Sequence, residues 1–320
     1  MKKTWTILLA LMIACTSIAC FAEPSAELPL TGKKILVSTF FLEDDYCIEM
    51  NNTIVNRLEE LGAEVSLTNS NSDGEVQTRQ IEAHLESGID FLFLMPPSQD
   101  VLVPVIEKAA DMGVMTILYD AGANTTKGVI THVSANDRFE GNTVGTYLVD
   151  YITTNLDGKA TILFEYAMEQ ERFQMRVDGV TEILDAHPEL DVEYVYLDSK
   201  GLREVAANVT ANYAAPYDLI VGAEMNTSWG AISTLEAQNT QDVKVLSIAD
   251  WSKEGFEAIR DGHKYYLTFC TLSPYEIGNT AVDSLLAYLD GEELEDVIYV
   301  NTPMVNTENM HEFWDFEKFQ

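Results

Sequence analysis

Residues 91–100, Phe91-Leu92-Phe93-Leu94-Met95-Pro96-Pro97-Ser98-Gln99-Asp100, decide the fold. The opening four are apolar with no polar alternation, so the strand they form must be buried on both faces. The remainder is a loop broken by two prolines. Residues 75–85 before the strand and 104–112 after it read as helices. A strand buried on both faces between two helices is the repeating unit of a parallel sheet covered on both sides. Outward in one direction, Ile35-Leu36-Val37 and Val65-Ser66-Leu67 read as strands around a helix over 46–61. In that helix Ile48, Ile54, Val55, Leu58 and Leu61 share a face, and Gly62 terminates it. In the other direction, strands over 114–119 and 129–133 lead into a longer helix over 137–152. The alternation then restarts, with strands at 161–164, 192–197, 219–221, 243–248 and 266–269. Helices over 173–184, 202–213 and 227–237, and the stretch 255–259, fall between them. Two such runs, each of roughly a hundred residues, predict an α/β protein of two doubly wound parallel-sheet lobes.

Length and charge agree with that reading. A chain of 320 residues exceeds what one core usually holds. The formal net charge is −33, yet 47% of residues are hydrophobic, so the acidity describes a solvated surface and not a disordered chain. It argues against a nucleic-acid partner, which needs a cationic face to release counterions, and against an anionic membrane surface.

Residues 1–22 carry Lys2 and Lys3, an apolar run through Leu8, Leu9, Leu11, Met12 and Ile13, and Cys20-Phe21-Ala22 before Glu23. That is the pattern of a secretory signal peptide, too short in its apolar part to span a bilayer. Cys15 and Cys20 also sit in weak lipobox variants, so a lipid-anchored form is the alternative. Either way the protein is expected outside the cytoplasm, periplasmic or anchored on the outer side. Cys47 and Cys270 follow, and two buried, unpaired thiols are expected over a disulfide. There is no CxxC or HExxH, and the five histidines are scattered singly, so no metal site is expected.

In open parallel sheets ligands sit beyond the carboxyl ends of the strands, which makes the loops there informative. The first, Ser38-Thr39-Phe40-Phe41-Leu42-Glu43-Asp44-Asp45-Tyr46, has no glycine, so neither a dinucleotide fingerprint nor a phosphate-cradling loop is present, and no cofactor is expected. Others end in Tyr119-Asp120, Gly222-Ala223-Glu224 and Asp250-Trp251. Leu36-Val37-Ser38-Thr39, Met95-Pro96-Pro97-Ser98, Tyr119-Asp120, Val133-Ser134-Ala135-Asn136-Asp137 and Arg176-Val177-Asp178-Gly179 come in that order. Asp250, Tyr275-Glu276-Ile277-Gly278, Asp290-Gly291, Ile298-Tyr299-Val300 and Asn306-Thr307-Glu308-Asn309 follow. Over roughly residues 34–310 this series resembles the ribose/galactose-type periplasmic substrate-binding proteins, whose fold is shared by the ligand domains of LacI-type regulators.

The resemblance implies a type I periplasmic binding protein whose chain crosses a three-stranded hinge. The lobes would be 32–135 with 272–301, and 136–271 with 302–320. It implies a monomer that captures a small sugar-like ligand in an interlobe cleft and presents it to an ABC transporter permease or a chemoreceptor. A LacI-type regulator is disfavoured by the leader and by the missing helix-turn-helix. Carried over by position, Asp120 and Asp250 match the family's two sugar-binding aspartates, one per lobe, and Tyr46 its stacking aromatic. Asp44 and Glu224 stand where the family has asparagines, and Gln174 where it has an arginine flanked here by Arg172 and Arg176. Ala121 replaces another family arginine.

The bland reading of the aspartates is as loop or cap residues. Trp251 is expected at the ligand, because a tryptophan in a strand-end loop is rarely needed for the sheet core. Arg176 is expected to anchor its own helix through a salt bridge, and Gly141 and Gly145 to allow close helix packing. Ligand-site candidates are thus Asp44, Tyr46, Asp120, Gln174, Glu224, Asp250 and Trp251, and no catalytic residue is expected. The charge changes all push one way, toward a pocket suited to an amino sugar, a cationic small molecule or a polyol, with a neutral monosaccharide as the competing ligand. A carboxylate-based glycoside hydrolase is the alternative of a different class, since paired carboxylates also run that chemistry.

Overall fold

The computed structural model describes residues 28–318. The leader expected over 1–22, with Cys15 and Cys20, lies outside the described residues. Among the described residues no helix is long and apolar enough to cross a membrane.

The chain builds two parallel sheets. The first contains β1 (Lys34–Thr39), β2 (Glu64–Asn69), β3 (Phe91–Met95), β4 (Met115–Tyr119), β5 (Val129–Ser134) and β11 (Val297–Tyr299), in the order β11-β5-β4-β3-β1-β2. The second contains β6 (Lys159–Tyr166), β7 (Asp191–Asp198), β8 (Leu219–Gly222), β9 (Lys244–Asp250) and β10 (Tyr266–Thr271), in the order β10-β9-β8-β6-β7. Central β3 is buried at all five positions, as its unbroken apolar run requires.

Alternate side chains of the first sheet serve two cores. Val37, Phe93 and Ile117 pack against α1 (Asp45–Glu60) and α9 (Pro274–Leu289). Leu36, Leu92, Leu94 and Leu118 pack against α2 (Gly74–Ser87) and α3 (Val103–Asp111). The second sheet repeats this. Ile162, Phe164, Val221 and Leu246 meet α4 (Asp137–Asn155) and α5 (Glu171–Asp185), while Leu163, Ile220 and Val245 meet α7 (Met225–Gln238) and α8 (Lys253–Asp261). The period of two along each strand divides the apolar residues between the layers. α6 (Arg203–Asn212) packs along α7.

Helix α9 carries ordinary helical apolar spacing in its buried stripe of Ile277, Ala281, Val282 and Leu285, with Gly278 and Ser284 between them. What marks its start is Ser273, whose Oγ accepts from Glu276 N at 3.3 Å, with Pro274 in the first turn.

The chain passes between the sheets after β5, after β10 and after β11. The crossing segments lie side by side: Val300 N donates to Ser134 O, and Thr271 N to Pro303 O, each at 2.9 Å. Beyond them the tail packs on the second lobe. Trp314 stacks on Phe256 at 5.0 Å, and the following turn brings Lys318 to Glu49 of α1. Both described cysteines are free and buried; Cys270 donates to Thr302 O at 2.7 Å.

Candidate ligand site

The carboxyl ends of β1 and β4 in one sheet face those of β8 and β9 in the other across a cavity of about 410 Å³. From the first lobe its wall takes Phe40, Phe41, Asp44, Tyr46, Cys47 and Asp120; from the second, Arg172, Phe173, Arg176, Glu224, Asp250 and Trp251.

Asp120 has φ 58°, the left-handed region that aspartate tolerates better than most residues but still at a cost. The neighbouring strand holds it there. Asp120 N donates to Val133 O at 2.8 Å, Ser134 Oγ donates to its carbonyl at 2.8 Å, and His132 Nε2 lies 3.2 Å from the same oxygen. The bend turns the carboxylate toward Tyr46, whose hydroxyl donates to Oδ1 at 3.0 Å. Burial, with the Asp120 charge beside it, raises the Tyr46 pKa far above its usual value. Tyr46 therefore works as a hydrogen-bond donor to Asp120 as well as an aromatic wall. Burial also lowers the His132 pKa, which favours the neutral imidazole.

Asp44 and Glu224 occupy equivalent positions at helix starts. Asp44 Oδ1 caps α1 by accepting from Cys47 N at 2.7 Å. Glu224 caps α7 with both oxygens, from Asn226 N at 2.7 Å and Thr227 N at 3.0 Å. The cap reading thus holds for both, and each carboxylate, positioned by its helix, also borders the cavity.

Asp250 is 3% exposed. Its Oδ2 accepts from Tyr266 Oη at 2.6 Å, while Oδ1 has no partner at hydrogen-bond distance. Burial pushes its carboxyl up to about 6, although Tyr266, Ser252 and the Trp229 indole favour the charged form. An acceptor buried this deeply without a donor costs stability unless something supplies one.

Gln174 does not reach the cavity. Tyr166 Oη donates to its Oε1 at 2.9 Å, and its Nε2 donates to Asp178 at 2.7 Å. The helical period explains why. Arg172, Phe173 and Arg176 fall on the face of α5 that borders the cavity, and Gln174 lies about 200° round from Arg172. Arg176, 4% exposed in its side chain, meets Asp137 and Glu140 at 2.8 Å each and donates to Ala223 O at 3.0 Å, beside Glu224. It anchors more than its own helix: it ties α4, α5 and the end of β8 together. Arg172 is half-exposed, lies 3.5 Å from Asp137, and has a buried Nε with no hydrogen-bond partner. The cavity wall thus carries two guanidinium groups beside the four carboxylates, with Arg176 already paired to Asp137 and Glu140.

Trp251 borders the cavity but is also core. It is 4% exposed, donates from Nε1 to Phe313 O at 3.1 Å, and meets Trp314 at 4.8 Å. Its other edge faces Tyr46 of the first lobe at 6.3 Å. The expectation that it is not needed for the core fails because the tail supplies aromatic partners that no local pattern reveals. Among the described residues no cluster of three His, Cys, Asp or Glu side chains could hold a metal ion.

A family model described as a periplasmic binding protein domain matches residues 35–293. The D-xylose-binding periplasmic protein of Escherichia coli is 24% identical over 248 residues, covering 75% of this chain and 72% of that protein. The ribose import binding protein RbsB of Bacillus subtilis is 23% identical over 308 residues, 93% of this chain and 97% of that one. The crystal structure of a periplasmic ribose ABC transporter protein from Conexibacter woesei superposes with a TM-score of 0.79 at 19% identity, covering 88% of this chain and 94% of the other.

Proposed function

The chain belongs to the periplasmic binding protein family, and we propose that it is the extracytoplasmic solute-binding component of an ABC importer. Its ligand is an uncharged monosaccharide or sugar derivative held between the lobes. One observation carries this reading. Asp250 from the second lobe and Asp120 from the first border a single cavity, so the hydroxyls of one sugar can be held by a carboxylate from each side. Phe40, Phe41, Tyr46, Phe173 and Trp251 supply apolar faces for the C–H side of the ring. The half-exposed Arg172 guanidinium borders the cavity and can donate to a ring or hydroxyl oxygen. The named relatives, which bind xylose and ribose, support the same ligand class.

The lobes 32–135 with 272–301 and 136–271 with 302–320 act as the moving bodies, and the crossing segments as the hinge. Ligand contacts made on both lobes at once favour the closed arrangement, which a permease or chemoreceptor then reads. The protein works as a monomer and leaves the sugar chemically unchanged.

Calorimetry with neutral pentoses and hexoses, amino sugars and polyamines tests this. A neutral sugar is expected to bind at micromolar Kd or tighter, with little change between low and high salt. Preference for an amine, weakening as salt rises, would replace the neutral ligand by a cationic one. Incubation with a disaccharide that returned free monosaccharides would make the protein a hydrolase.

A further inference from the structure

Next to the cavity described above lies a second one of about 450 Å³, and the two share Phe40, Asp120 and Arg172 as a common partition. We propose that the natural ligand occupies both: a glycoside or disaccharide, with one sugar ring in the aromatic compartment and a second uncharged, hydroxyl-bearing moiety in the outer one. This rests on the reading of the chain as a sugar-binding protein and deepens it.

Size is the first argument. A single hexose packed at the density of a protein interior fills roughly 200 Å³. The first compartment alone, at about 410 Å³, already exceeds that, and the second adds a comparable space.

The second argument is the chemistry of the outer walls. Asp120 and Asp137 are the carboxylates there, and Arg172 stands between them, 3.5 Å from Asp137. What remains toward the space is neutral: the Ser98 hydroxyl, the Gln99 and Gln170 amides, and the imidazole of His132. Uncharged donors and acceptors of this kind suit hydroxyl groups.

Tyr299 is the third. It ends edge strand β11 and lines the outer compartment with 56% of its surface exposed. No ring among the described residues packs against it, and it makes no hydrogen bond through its phenol there. An aromatic left bare beside a polar cleft is the platform on which a sugar's C–H face packs. The Arg172 side chain, half-exposed in the partition and bordering both compartments, is placed to donate to an oxygen between the two moieties.

The test is calorimetry on the purified protein with xylose, ribose, glucose and galactose against xylobiose, cellobiose, maltose and lactose. Tyr299→Ala and Gln99→Ala are run beside wild type; both residues are exposed, so the fold tolerates the changes. At least one disaccharide is expected to bind about tenfold tighter than its component sugars, about 1.4 kcal/mol. Tyr299→Ala should erase that advantage while leaving the monosaccharide Kd within about twofold. Monosaccharides that bind as tightly as every disaccharide, or an advantage that survives both substitutions, would overturn the second moiety and leave the monosaccharide reading standing. Binding of no sugar of either size would overturn both.

Discussion

Asp250 shows what burying a single carboxylate costs a fold. Its carboxyl titrates near 3.8 in an unfolded chain and at about 6 in the fold, because burial penalises the charge. Between those values the unfolded chain gives up its proton while the folded one keeps it. Stability therefore falls as pH rises from about 4 to about 6 and stays lowered above that. Asp250→Asn removes the penalty. The ligand-free variant should melt higher than wild type at pH 8, by at most about 3 kcal/mol in stability, and the two should converge below pH 4. The same variant should bind sugar at least about a hundredfold more weakly, since the charged acceptor is gone. Thermal melts across pH, paired with calorimetry, check both halves; a lower melting point at pH 8 would contradict the first. That Asp250 and Asp120 would sit at strand ends bordering one cavity was legible in sequence, because ligand pockets of open parallel sheets form beyond the carboxyl ends of the strands. Gln174 was misplaced because positional matching is blind to helical phase: a shift of two residues turns a side chain to the opposite face.

Helices α4 and α5 touch backbone to backbone. A methyl group on Gly141 would lie 2.0 Å from Arg176 O, and one on Gly179 2.2 Å from Arg138 O. Gly145 sits against Val180 in the same seam. Gly141→Ala must push the helices apart, at a cost of roughly 1–3 kcal/mol or more, and it moves the turn that carries Arg172 and Arg176. The expected result is a lower denaturation midpoint together with a sugar Kd raised by about an order of magnitude. Unchanged affinity in a destabilised protein would show that the seam does not position the arginines. The close packing of Gly141 was readable from the four-residue spacing to Gly145, but its partner Gly179 was not, because pairing between helices leaves no trace in a single sequence. The strands were legible for the opposite reason: burial on both faces forces an apolar run that needs no partner to be recognised. Helix α9 was available to be read on both counts, from the spacing of Ile277, Ala281, Val282 and Leu285 and from its capped start.

At the scale of the whole molecule, two sheets joined by three adjacent crossings can move as bodies while each core stays intact. Small-angle scattering should show a smaller radius of gyration once sugar is added, and Asp250→Asn should lose that compaction at the same sugar concentration. An unchanged radius in saturating ligand would rule out closure as the signal that a membrane partner reads. Cys47 lies in the wall that closure would seal, whereas Cys270 sits in the second core with no exposed surface. Burial and the nearby carboxylates keep the Cys47 thiol protonated, so alkylating agents that need a thiolate will be slow. A small organomercurial is better suited, and the rate at which it tags this one sulfur makes the protein its own occupancy gauge, with Cys270 as the silent reference.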